Sequence, residues 1–155
     1  MAQQRNILIP VDTSEHSRRA IQWYTDNIAK KEMDSVILFS VVEPSFKTTK
    51  ADKSNDCAKE ITDNLAETNS KTAKNGEELR KSLEDKGYKV TFESRIGSKP
   101  GEVIVQFAAD KSVHMVIIGN RGLGAIKRTF LGSVSEYVLH HSSCPVSIVP
   151  PPMKA

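Results

Sequence analysis

The chain has 155 residues, 38% of them apolar and 26% charged, with a formal net charge of +3. That length supports a sizeable core, and no apolar run is long enough to cross a bilayer as a helix. Acidic and basic residues are interleaved along the chain, which predicts a solvated surface rather than the clustered basic footprint of a nucleic-acid binder.

The stretch Met1 to Asn6 carries no apolar leader. Cys57 and Cys144 are the only cysteines. Standing alone, they make neither a disulfide framework nor a metal-ligand spacing, which fits a reducing compartment and predicts a cytoplasmic protein. Asn6 to Asp12 reads Asn-Ile-Leu-Ile-Pro-Val-Asp, a short apolar run ended by a turn signal and so a buried first strand. Thr13, Ser14 and Glu15 supply cap chemistry for a helix on which Ala20, Ile21, Tyr24 and Ile28 recur at helical spacing. Val36 to Val42 is a second buried strand, and the polar residues 44–54 read as a loop. A long helix is expected from about Asn55 to Lys86, with Ile61, Leu65, Leu79 and Leu83 on one stripe and Gly76 bending or interrupting it.

Tyr88, Val90 and Phe92 alternate with Lys89, Thr91 and Glu93, the pattern of a half-exposed strand at a sheet edge. Pro100 suits a first helical position ahead of Val103, Ile104, Phe107 and Ala108. Val113 to Ile118 gives a fourth strand, Val134, Tyr137 and Val138 a last helix, and Pro145 to Val149 a fifth strand. Neither repeat nor linker divides the chain, so one domain over 1–155 is expected. Strands alternating with helices predict an α/β fold, a parallel sheet covered on both faces. Ligands in such sheets sit at the carboxyl ends of the strands where the winding reverses. If the first and fourth strands are neighbours, Pro10, Val11 and Asp12 share a crevice with Gly119.

The informative segment is Gly119-x-x-Gly122, nine further residues, then Gly132-Ser133 at the start of the last helix. A Walker A loop is absent, and Gly122-Leu-Gly124 lacks the third glycine and the acidic residue of a dinucleotide fingerprint. Glycines admit close backbone approach, and free amides at a helix start favour an anion. Ser133 and Ser135 add hydroxyls, and Arg121, Lys127 and Arg128 add cations. Any of these basic residues can equally be solvated. Asp12 has two readings, a helix cap or an acceptor for ribose hydroxyls or a magnesium ion. Val41 and Val42 either offer backbone to an adenine edge or serve only as core.

These residues resemble the universal stress protein family of the ATP-binding type. The likeness rests on Ile-Leu-Ile-Pro-Val-Asp-Thr-Ser-Glu (7–15), Val-Ile-Leu-Phe-Ser-Val-Val (36–42), the block 119–133 and Cys-Pro-Val-Ser-Ile-Val (144–149). It implies a Rossmann-like, three-layer α/β/α fold with a five-stranded parallel sheet in the order 3-2-1-4-5. It also implies an adenine nucleotide (ATP, ADP or AMP) as ligand. Pro10, Val11 and Asp12 would border the adenosine, and Val41 would meet adenine through its backbone. Gly119, Gly122 and Gly132 would accommodate ribose and phosphates, and Ser133, Val134 and Ser135 would bind phosphate oxygens. Homodimers through strand 145–149 follow from the same likeness, in line with the physical point that an apolar edge strand is unprotected unless it finds a partner.

No nucleophile elbow and no readable Cys/His pair exist, and His16, His114, His140 and His141 are scattered. Phosphoryl transfer needs a placed metal and a group orienting the nucleophile, for which Asp12 is the one obvious candidate. The expectation is a nucleotide-binding regulatory module, working through nucleotide-dependent ordering of loop 119–131 and dimerisation, with ATP hydrolysis at most slow. The competing reading is a dimeric scaffold that uses no nucleotide.

Overall fold

The computed structural model describes residues 3–44, 56–120 and 131–152. Among them strands and helices alternate: β1 (Arg5–Pro10), α1 (Glu15–Asn27), β2 (Asp34–Val42), α2 (Asp56–Asp85), β3 (Lys89–Ile96), α3 (Pro100–Asp110), β4 (Met115–Gly119), α4 (Ser133–His141) and β5 (Val146–Val149). The sheet is parallel throughout, in the order β3-β2-β1-β4-β5. The expected Rossmann-like α/β/α fold and strand order are therefore those observed.

β1, β2 and β4 carry nearly unbroken apolar runs because both faces of the sheet are covered there. Ile7, Ile9 and Val11 turn to one side and pack with Ala20 and Tyr24 of α1 and Leu83 of α2. Leu8, one residue out of phase, turns to the other side with Phe39, Ile104 and Phe107 of α3 and Val138 of α4. The rings of Phe39 and Phe107 stack 3.9 Å apart there. Thus α1 and α2 form one outer layer, α3 and α4 the other. The winding runs outward from β1 to β2 and β3, then returns past β1 to β4 and β5. The crevice at this reversal opens between the carboxyl ends of β1 and β4.

Several boundaries differ from those the sequence predicts. β1 stops at Pro10, so Val11 and Asp12 lie beyond it, and β4 starts at Met115 but takes in Gly119. Gly76 does not interrupt α2, which runs without a break from Asp56 to Asp85. The glycine answers to packing instead: the Phe92 ring of β3 fills the place a β-carbon at residue 76 would take. β3 is the predicted half-exposed edge strand, with Val90 buried and Ile96 56% exposed. The loop expected over 44–54 falls, except for Pro44, outside the described residues.

The end of the sheet opposite the crevice is held by a buried polar cluster. Asp34, whose side chain is fully buried, accepts Arg5 Nε at 2.7 Å and Arg5 Nη2 at 2.9 Å. It also accepts the Tyr24 hydroxyl at 2.7 Å and the Lys30 amide at 2.8 Å. Burial alone would raise the Asp34 pKa, but the Arg5 guanidinium, the Lys30 amide and the Tyr24 hydroxyl together bring it below the ordinary carboxylate value. Burial, and then the hydrogen bond to Asp34, push the Tyr24 phenol well above its usual range.

Candidate functional site

At the crevice lies a cavity of about 480 Å³. Each wall comes from the end of a different element. Pro10, Val11 and Asp12 follow β1, Phe39, Val41 and Glu43 come from β2 and its end, and Ile118 and Gly119 close β4. Gly132, Ser133, Val134 and Ser135 form the start of α4, with His16 and Ser17 from α1 and Pro100 and Ile104 from α3. Nine of the positions singled out from sequence therefore share one cavity: Pro10, Val11, Asp12, Val41, Gly119, Gly132, Ser133, Val134 and Ser135. Arg121, Gly122, Lys127 and Arg128 lie outside the described residues, as does most of the loop 119–131.

Asp12 organises the turn into α1. Its Oδ1 accepts the Ser14 amide at 2.8 Å, the Ser17 hydroxyl at 2.9 Å and the Ser14 hydroxyl. Ser17 Oγ in return accepts the Asp12 amide at 2.7 Å, and the Asn75 side-chain amide of α2 donates to the Asp12 carbonyl at 3.0 Å. The N-cap position itself belongs to Ser14, whose side chain makes no cap hydrogen bond. The capping reading of Asp12 thus takes the form of a turn two residues upstream, and the carboxylate is held firmly at the cavity's edge. Among the described residues no three His, Cys, Asp or Glu side chains stand together to hold a metal ion.

The opposite wall is the amino end of α4. Gly132 occupies the N-cap position with φ −62° and ψ 153°, and its carbonyl accepts the Glu136 amide at 2.9 Å. The amides of Ser133, Val134 and Ser135 are then the first-turn donors that an α-helix leaves without intrahelical partners, and among the described residues no side-chain cap hydrogen bond is made at this end. All three residues line the cavity, so its wall carries the positive end of the helix dipole and N–H groups that the helix itself does not use.

The two described glycines of the block differ. A β-carbon at Gly119 would run into the carbonyl oxygen of His16, with the His16 carbonyl carbon at 2.8 Å. α1 packs on β4 too closely for any side chain there. At Gly132 a β-carbon would meet, among the described residues, Asn120 Oδ1 alone, at an ordinary 3.6 Å, and the backbone angles suit any residue. The fold demands the first glycine but not the second.

Val41 lies where β2 outruns β1. Pairing ends at Pro10 with Phe39, and the Val11 amide donates to the Phe39 carbonyl at 2.8 Å. Alternate residues of a strand aim their backbone groups at the same neighbour. The amide and carbonyl of Val41 therefore face the β1 side beyond the paired region, while the Val42 carbonyl faces β3 and accepts Gly97 at 3.0 Å. The Val11 carbonyl, which a longer ladder would offer to Val41, takes the Ser40 hydroxyl at 2.7 Å. A donor and an acceptor of one residue are thus presented along the cavity wall.

Sequence reasoning missed His16, Ser17 and Glu43 as lining residues, because their places depend on how α1 and β2 end in space. It also missed Asn120, which stands inside the glycine block but was overshadowed by its glycines and cations.

The universal stress protein family model matches residues 4–150. The chain belongs to the universal stress protein family. Universal stress protein MJ0531 of Methanocaldococcus jannaschii is 32% identical over 151 residues, spanning 97% of this chain and 84% of its own. The solved structure of protein MJ0577 shares 28% identity and superposes with a TM-score of 0.71 over 99% of this chain and 100% of its own. A universal stress protein family structure from Arabidopsis thaliana, solved with AMP bound, has a TM-score of 0.60 at 17% identity, over 94% of this chain and 91% of its own. At that identity it speaks for the shared fold. Among the described residues no helix of this universal stress protein is long and apolar enough to cross a membrane.

Proposed function

We propose that this universal stress protein binds an adenine nucleotide in the crevice between β1 and β4 and acts as a regulatory module. The observation that carries the reading is the placing of two backbone sets around one cavity, neither of them used by the described sheet or helix: the Val41 donor and acceptor on one wall, the first-turn amides of α4 on another. The first suits the edge of adenine, which presents an acceptor and a donor side by side. The second suits a phosphate. A volume of about 480 Å³ lies within the usual range for small-ligand sites. The AMP held by the Arabidopsis relative supports the same ligand class.

On this reading Pro10, Val11 and Asp12 border the nucleoside, with Asp12 accepting ribose hydroxyls, and Ser133, Val134 and Ser135 take the phosphate. Arg121 and Gly122 belong to the same proposal, as do ordering of residues 119–131 by the nucleotide, a homodimer through β5 and a cytoplasmic setting. ATP turnover, if it accompanies binding, is slow.

Titration calorimetry with AMP and ATP tests the assignment. Saturable binding is expected, and Gly132→Val should abolish it while the melting temperature stays close to that of the parent, because a side chain at 132 blocks the phosphate's approach without touching the core. Unchanged affinity in that variant overturns the placement of the phosphate. Failure of the parent chain to bind either nucleotide leaves the fold as a scaffold that uses none.

A further inference from the structure

Asn120 is 95% shielded from solvent, with 5% of its surface exposed, yet it is polar and stands at the end of β4 beside the cavity. Among the described residues its hydrogen bonds reach three different elements. The amide donates to the Val149 carbonyl of β5 at 2.9 Å, and the carbonyl accepts Arg19 Nη2 of α1 at 3.1 Å. The side-chain Oδ1 accepts the amide of Gly132, the N-cap residue of α4, at 2.9 Å. Arg19 Nη2 also meets His16 Nδ1 at 2.9 Å, so the guanidinium is braced against its own helix.

We propose that Asn120 is a positioning residue that sets the amino end of α4 for the phosphate; this rests on the nucleotide reading given above. Its Oδ1 removes the Gly132 amide from the free donors and fixes where the next three amides point. Asn120 at the end of β4 and Gly132 at the start of α4 are thereby tied together by protein alone. The anion seat is in place before the ligand arrives, and the binding free energy is not spent on assembling it. Gly132→Ala should keep this contact, since a β-carbon there leaves Oδ1 at 3.6 Å.

Asn120→Ala, with Asn120→Leu as the variant that keeps the buried volume, separates this role from simple stabilisation when AMP is compared with adenosine by calorimetry. AMP affinity should fall at least about tenfold, since a misdirected donor set loses most of its value, and adenosine affinity should change less than about twofold because adenosine has no phosphate to seat. An equal loss for both ligands, or no loss for AMP, overturns the inference. Amide exchange in the ligand-free parent gives a reading independent of nucleotide: the Gly132 amide should be protected, and exposed in either variant. Free exchange at Gly132 in the parent refutes the clamp whatever the protein binds. A parent chain that binds neither AMP nor adenosine removes the nucleotide reading, and with it the role assigned here.

Discussion

Asp34 shows what a single buried charge requires. Four donors converge on a carboxylate with no solvent contact. Replacing it with alanine leaves the buried Tyr24 hydroxyl, the Lys30 amide and the part-exposed Arg5 guanidinium without this acceptor, and a buried polar group left unpaired costs about 1–3 kcal/mol. Urea denaturation of Asp34→Ala should show that loss, whereas Arg80→Ala, which breaks only solvent-screened pairs on α2, should leave the denaturation midpoint close to that of the parent. The pH dependence follows from the lowered pKa. A group whose folded pKa is depressed contributes stability that is complete above its unfolded value of about 3.9 and is lost as pH falls through the folded value. The parent should therefore weaken as the solution is acidified below about pH 4, and Asp34→Asn should start less stable but follow a flatter curve over that range. A parallel pair of curves would show that Asp34 titrates normally. None of this cluster was legible beforehand, because Arg5 and Asp34 are 29 residues apart and each looks like ordinary surface charge.

At the scale of elements, the periods in the sequence carried most of the architecture. Four apolar runs and one alternating strand, separated by helical stripes, leave a parallel sheet as the one economical way to bury both kinds of surface, and the exposed alternation of Lys89 to Glu93 places that strand at an edge. The candidate site was legible as far as its backbone chemistry went, since Gly132-Ser133 at a helix start is a local signal. Its side-chain supports were not, since the Asn120–Gly132 contact and the His16 approach to Gly119 arise only when separate elements meet. Gly76 marks the limit of propensity arguments. By helix propensity alone, Gly76→Ala should stabilise α2 by about 1 kcal/mol. The Phe92 ring lies where the new methyl would go, and overpacking of this kind costs about 1–3 kcal/mol. The substitution should therefore lower the melting temperature, and Phe92→Leu should recover part of the loss in the double variant. An outright gain from Gly76→Ala would mean that the ring swings aside freely.

The whole molecule has two sheet edges, and they are managed differently. β3 carries charged residues on its exposed positions, with Arg95 paired to Asp110 and Glu93 to Lys111, a common defence against further strand pairing. β5 carries none: its four residues are Val146, Ser147, Ile148 and Val149. The β4 side uses the carbonyls of Pro145 and Val149, which accept the amides of Val116 and Asn120. By strand alternation, Ser147 also faces β4, while the backbone groups of Val146 and Ile148 point to the open edge. If the chain dimerises through this edge, Ile148→Pro removes an outward donor without touching a bond to β4. Light scattering after size exclusion should then give the mass of one chain for the variant and two for the parent, with the nucleotide cavity on the far side of β4 still binding AMP. A two-chain mass that survives Ile148→Pro in a folded protein would move the interface away from β5, and a one-chain mass for the parent would remove it.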